Sequence, residues 1–238
     1  MDTRPIIALD FPNQATVTTF LHQFPQGQPL FVKIGMELFY SAGPDIVRAL
    51  VAAGHDVFLD LKLYDIPHTV EKSMQVLGGL GVTMTNVHAS GGREMMQAAK
   101  QGLLSGSHGH KVPKLIAVTQ LTSTNQIQIQ QEQLITASLT ESVTHLAQLA
   151  DQAGLDGVVC SALEAGTIKR ATREDFLCVT PGIRLTDTAT DDQKRVATPT
   201  NAAKLGSSQL VVGRPITQAA NPVMAYQRIK KLWEESLV

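Results

Sequence analysis

Asp60 and Lys62 stand two residues apart in an apolar run, Phe58-Leu59-Asp60-Leu61-Lys62-Leu63. Side chains alternate along a strand, so both project to one face while Leu59 and Leu61 project to the other. Burying such a pair is costly unless further charges complete it. Lys33 and Asp10 close two earlier apolar runs and can do so, and Asp65 follows just beyond. A structural ion pair would account for two of these residues. Four strand-end charges of alternating sign, with Asp65 after them, point instead to a site. Burial works against a charged lysine and neighbouring carboxylates favour it. An ammonium so held can stabilise a developing anion and then give it a proton.

A second group suits an anion. Gly213 lets backbone N–H groups approach closely, and Arg214 can bind bidentately. Gly182 and Arg184 form a similar pair earlier in the chain, although Arg184 read alone is also compatible with an ordinary surface arginine.

These residues need elements to position them. Short apolar runs recur at 6–10, 30–35, 57–62, 85–89, 115–120, 157–161, 177–182 and 210–214. Each reads as a strand buried on both faces, as in a parallel sheet. Helical spacing is found between them, over 44–53, 70–80, 137–153 and 219–232. Strict alternation implies right-handed βαβ crossovers. Eight units, no GxGxxG after the first strand and no dividing linker predict one α/β domain over 1–238, a (β/α)8 TIM barrel. In such barrels the chemistry sits at the carboxyl ends of the strands, and phosphate sites follow strands seven and eight. The charged residues above stand at those ends. The long polar stretch 185–199, which contains Gln193, is expected to be a lid that closes on phosphate, with Gln193 donating a neutral hydrogen bond.

Composition agrees. The 238 residues are 43% hydrophobic and carry a net charge of −1, so nothing points to nucleic acid or an anionic membrane. An anionic ligand must be held by a few placed cations. Cys160 and Cys178 lie in apolar runs without CxxC spacing and read as buried thiols in a reducing cytosol. The N-terminus lacks the pattern of a signal peptide, and no apolar stretch is long enough to span a bilayer.

The stretch Asp60-x-Lys62-x-x-Asp65-Ile66-Pro67 resembles the DxKxxDIP signature of the orotidine 5′-monophosphate decarboxylase family. The resemblance extends over nearly the whole chain. It runs through Ile7-Ala8-Leu9-Asp10, Phe31-Val32-Lys33-Ile34-Gly35, Asn86-Val87-His88-Ala89, Ala117-Val118-Thr119-Gln120-Leu121-Thr122-Ser123, Val179-Thr180-Pro181-Gly182-Ile183-Arg184 and Val211-Val212-Gly213-Arg214-Pro215-Ile216-Thr217. Tyr64 departs from it, standing where many members carry histidine.

The resemblance implies cofactor-free, metal-free conversion of orotidine 5′-monophosphate to uridine 5′-monophosphate and CO2. Lys62 would be the cation and proton donor, with Asp60, Asp65 and Lys33 completing the catalytic array. Asp10, Lys33, Asp60, Thr69, Thr122, Arg184, Gln193, Gly213 and Arg214 would bind the nucleotide, Thr122 at the pyrimidine and Gln193 and Arg214 at the phosphate. Asp65 would reach in from a partner subunit, implying a homodimer with shared sites in a cytoplasmic pyrimidine pathway.

Two alternatives stand beside this reading. A metal-assisted sugar-phosphate decarboxylase or isomerase of the same suprafamily would want a glutamate in the array. Glu37 is the nearest, but Met36-Glu37-Leu38 more naturally begins a helix. A non-catalytic sensor of phosphorylated ligands would not need Lys62 with all its carboxylates. His108 and His110, in a Gly/Ser-rich stretch, read as a solvated loop for want of a third ligand. His88 is given no role. Met95-Met96 reads as helix packing, and the Gln-rich segment 126–133 as a polar loop.

Overall fold

Each apolar run supplies a strand, because β-branched and aromatic side chains buried on both faces suit a parallel sheet. The computed structural model describes residues 3–109, 111–185 and 196–237. Its strands are β1 (Ile6–Ala8), β2 (Phe31–Gly35), β3 (Asp56–Leu63), β4 (Met84–His88), β5 (Lys114–Val118), β6 (Gly157–Val159), β7 (Leu177–Thr180) and β8 (Gln209–Val212). They pair in chain order, all parallel, and β8 closes on β1 through Ile6↔Val211 and Ile7↔Val212. This is the expected (β/α)8 barrel.

Alternation divides the hydrophobic residues into two cores. Ile6, Phe31, Phe58, Met84, Ile116, Val179 and Val211 fill the barrel. Ile7, Val32, Leu59, Val87, Val158 and Val212 face the surrounding helices, with Trp233 and Tyr226 of the last helix packed into the same outer layer. Both cysteines are free and buried there.

The expected helices form over Pro44–Ala52, Pro67–Gly78, Leu139–Gln152 and Pro222–Glu234. Proline begins three of them, where its missing N–H costs nothing. Ser138 and Glu141 close a capping box on the other. Met95 and Met96 are buried in helix Gly92–Gly106. The Gln-rich segment departs from expectation. Asn125 and Gln128 form a capping box that nucleates a short helix, Gln126–Gln131, and Ile129 buries against the core. The glutamines there are helix formers, and the cap rather than apolar periodicity is the deciding signal.

Most strands end earlier than the apolar runs suggest. Asp10, Gln120, Ser161, Gly182 and Arg214 lie beyond their ladders rather than within them. Hydrophobicity continues past the last paired residue because residues such as Leu9 and Cys160 still pack in the outer layer against the helices. β2 ends at Gly35 as expected, and β3 runs one residue longer, to Leu63. Among the described residues no helix is long and apolar enough to cross a membrane.

Candidate active site

The top of the barrel opens into a cavity of about 490 Å³, a volume suited to a small organic ligand. Asp10, Lys33, Asp60 and Lys62 line it together with Thr122, Arg184, Gly213 and Arg214. Seven strands contribute directly or through the loop that follows them.

The charges form a chain. Asp10 Oδ1 accepts from Lys33 Nζ at 3.0 Å, and Lys33 Nζ lies 3.3 Å from Asp60 Oδ2. Asp60 Oδ1 in turn lies 2.8 Å from Lys62 Nζ. Two ammoniums and two carboxylates therefore alternate across three strands. Burial works to lower the pKa of Lys33, but the carboxylates of Asp60 and Asp10 outweigh it and hold the ammonium above its ordinary value. Burial pushes the Asp60 carboxyl up, and Lys33 and Lys62 overcome it, so that Asp60 stays below the usual carboxylate range. Gly35 leaves room for this chain, since a Cβ there would stand 3.3 Å from both Lys33 Nζ and Asp10 Oδ1.

Arg184 is nearly buried, and its guanidinium donates to the carbonyl of Ile183 at 2.9 Å. Its backbone is tied to Ala197 across an isolated bridge, which joins the chain after β7 to the segment before helix Pro199–Lys204. Gln193, and with it most of the expected lid, lies outside the described residues, as does His110.

Two expected residues are not brought to the cavity of their own chain. Asp65 and Thr69 are exposed and do not line it, and Asp65 Oδ1 accepts the N–H of Ile66. The physical reason is local. After Leu63 the chain turns outward so that Pro67 can begin a helix, and both residues travel with that turn. Tyr64, also exposed, sets its ring 5.9 Å from that of His88. Burial, with Lys62 adding to it, holds His88 below the ordinary histidine value against the opposing pull of Asp60.

Asn86 was given no role by sequence reasoning, yet its buried amide reaches both Asp60 and Lys62. Its signal was an amide at an inward position of an otherwise apolar strand. Gln120 is comparable: it lines the cavity, is almost buried, and donates to Gln133 and Ser142.

A model of the orotidine 5′-phosphate decarboxylase / HUMPS family matches residues 3–229. A protein of Enterococcus faecalis named orotidine 5′-phosphate decarboxylase is 61% identical over 236 residues, 99% of this chain and 100% of that one. One of the same name from Latilactobacillus sakei is 57% identical over 231 residues, 96% and 97% of the two chains. The crystal structure of the orotidine 5′-phosphate decarboxylase from Lactobacillus acidophilus superposes with a TM-score of 0.89 at 45% identity, covering 98% of this chain and 99% of that one.

Proposed function

We propose a function from the premise these matches establish: the chain belongs to the orotidine 5′-phosphate decarboxylase / HUMPS family. It decarboxylates orotidine 5′-monophosphate to uridine 5′-monophosphate and CO2 in pyrimidine nucleotide synthesis, without a cofactor. The observation that carries this reading is that the charge array and Arg214 line one cavity. A ligand that carries both a reactive ring and an anionic group fits that combination.

In the reaction the bond from C6 to the carboxyl carbon breaks, and CO2 departs. The electron pair stays on C6, in the ring plane, where the ring's π system delocalises it poorly. Lys62 stabilises the developing charge and donates a proton from Nζ to C6, and solvent restores its ammonium. Asp60 and Lys33 hold Lys62 in place, and Asp10 extends the array along the cavity wall as a further substrate-binding residue. Arg214 and Gly213 bind the phosphate, aided by Arg184 and by Gln193, while Thr122 meets the pyrimidine. Binding energy at the remote phosphate holds the ring against the array.

The working form is a cytoplasmic homodimer. Asp65 and Thr69 complete the partner's site, which accounts for polar residues exposed beside the array. Tyr64 and Ile66, on either side of Asp65, are 62% and 66% exposed, an apolar surface that a second copy would cover.

The metal-assisted alternative has less support, since Glu37 is exposed in helix Met36–Ala42 and does not line the cavity. The test is to add orotidine 5′-monophosphate and follow its absorbance. Loss of absorbance, with uridine 5′-monophosphate and CO2 formed in equal amounts before and after chelation, is expected. Turnover restored only by added magnesium would favour the metal enzyme. Binding without turnover would favour the sensor.

A further inference from the structure

Asn86 is fully buried on β4, two residues beyond Met84 of the barrel core. Its side chain serves two partners on β3. Nδ2 donates to Asp60 Oδ1 at 2.7 Å, and Oδ1 accepts the backbone N–H of Lys62 at 2.8 Å. β3 is irregular at this point. Leu59 pairs with Thr85 and Leu63 with Val87, so β3 advances four residues while β4 advances two. Within the slack Lys62 adopts φ +53°, a left-handed conformation that is costly for a residue with a side chain. Its N–H, displaced from a regular ladder, is satisfied by the Asn86 amide.

We propose that Asn86 is a positioning residue that ties the main chain of Lys62 to the Asp60 carboxylate and so sets the turn that aims the lysine. The inference rests on Lys62 being the proton donor. Asp60 Oδ1 also holds Lys62 Nζ, at 2.8 Å. Both the main-chain N–H and the ammonium of one lysine are thereby referred to a single carboxylate oxygen, the first through Asn86. An amide suits this place because one end must donate and the other accept. A carboxylate accepts only, and a backbone N–H donates only. A fully buried amide with both ends occupied also holds a single orientation, and the loop from Asp60 through Asn86 to Lys62 and back is closed. The titratable groups around Asn86 are Asp60 and Lys62 on β3, Lys33 on β2 beyond Asp60, and His88 on its own strand. β5 pairs alongside with Ile116 and Val118, which do not titrate.

Asn86→Asp and Asn86→Ala, each compared with wild type from about pH 5 to about pH 8, test the role. When protonated, the carboxyl introduced by Asn86→Asp can donate to Asp60 and accept from Lys62, restoring the native pattern. When ionised, it sets a second negative charge against Asp60. The ratio of its kcat to that of wild type is therefore expected to fall about tenfold or more as pH rises. Asn86→Ala is expected to lose about 10- to 100-fold in kcat at every pH, with KM changed less than about threefold. Circular dichroism melts over the same range report whether each variant stays folded. A flat Asn86→Asp ratio, a loss confined to KM, or a loss that follows the folded fraction overturns the proposal. Wild type inactive on orotidine 5′-monophosphate would remove the functional reading and this inference with it. An active wild type with a flat ratio removes only the inference.

Discussion

Lys33 Nζ and Asp60 Oδ2 lie 3.3 Å apart, and each side chain is only 11% exposed. Removing one partner leaves the other's charge buried with less compensation, which typically costs about 3–5 kcal/mol. Asp60 keeps Lys62, so Lys33→Ala is expected at the lower end, about 3 kcal/mol, and to reduce kcat/KM more than about tenfold because Asp60, which holds Lys62, loses the ammonium that fixes it. Urea melts and initial rates check the two effects. The partly exposed surface pair Lys230–Glu234 is a control, where Lys230→Ala should cost less than about 0.5 kcal/mol.

The same array predicts how stability varies with pH. Asp60 binds protons less readily folded than unfolded, so it adds stability above its unfolded pKa of about 4, lost as pH falls through the lower folded value. Lys33 is held above its ordinary value, so its contribution is present below about pH 10.4 and is lost as pH rises through the folded value. Melting temperatures should be level in this respect between those limits. Asp60→Asn should lower the plateau and weaken the acid slope. An acid limb of wild-type steepness in that variant would contradict the assignment.

Arg214→Ala should damage catalysis as well as binding. A lost charged hydrogen-bond set is worth about 1.5–3 kcal/mol, or about 10- to 100-fold in kcat/KM. The loss should be seen with orotidine 5′-monophosphate and be nearly absent with orotidine, which has no phosphate to hold. An equal loss on both substrates would place Arg214 elsewhere than at the phosphate.

Helices Pro67–Gly78 and Gly92–Gly106 approach so closely that a Cβ at Gly102 would overlap the carbonyl of Glu71. Backbone cannot yield as a flexible side chain would. Gly102→Ala should therefore destabilise by about 1–3 kcal/mol, while kcat/KM per folded molecule stays at the wild-type value. Thermal melts and active-site titration separate the two.

Much of this was legible in the sequence because barrel strands announce themselves. Each buried run is short, apolar and followed by helical spacing, so the order β1 to β8 and the residues at the strand ends could be read directly. Asp10, Lys33, Asp60 and Lys62 were found by type and position. Two features were hidden. Alternation placed Lys62 on the inward face correctly, but nothing in its neighbours shows that it reaches there through a left-handed turn. Asn86 escaped because a buried amide is recognised only by what it touches, and its partners lie on another strand. Asp65 and Thr69 show the opposite limit: spacing from Lys62 puts Asp65 in a motif and the family resemblance adds Thr69, and the turn into helix Pro67–Gly78 carries both to the surface of their own chain.

The central claim concerns the Lys62 ammonium, and Lys62→Ala at saturating orotidine 5′-monophosphate addresses it most directly. Removing both a placed cation and a proton donor should lower kcat by about 10⁴-fold or more, with the variant folded and still binding uridine 5′-monophosphate. Turnover within about tenfold of wild type would contradict the account.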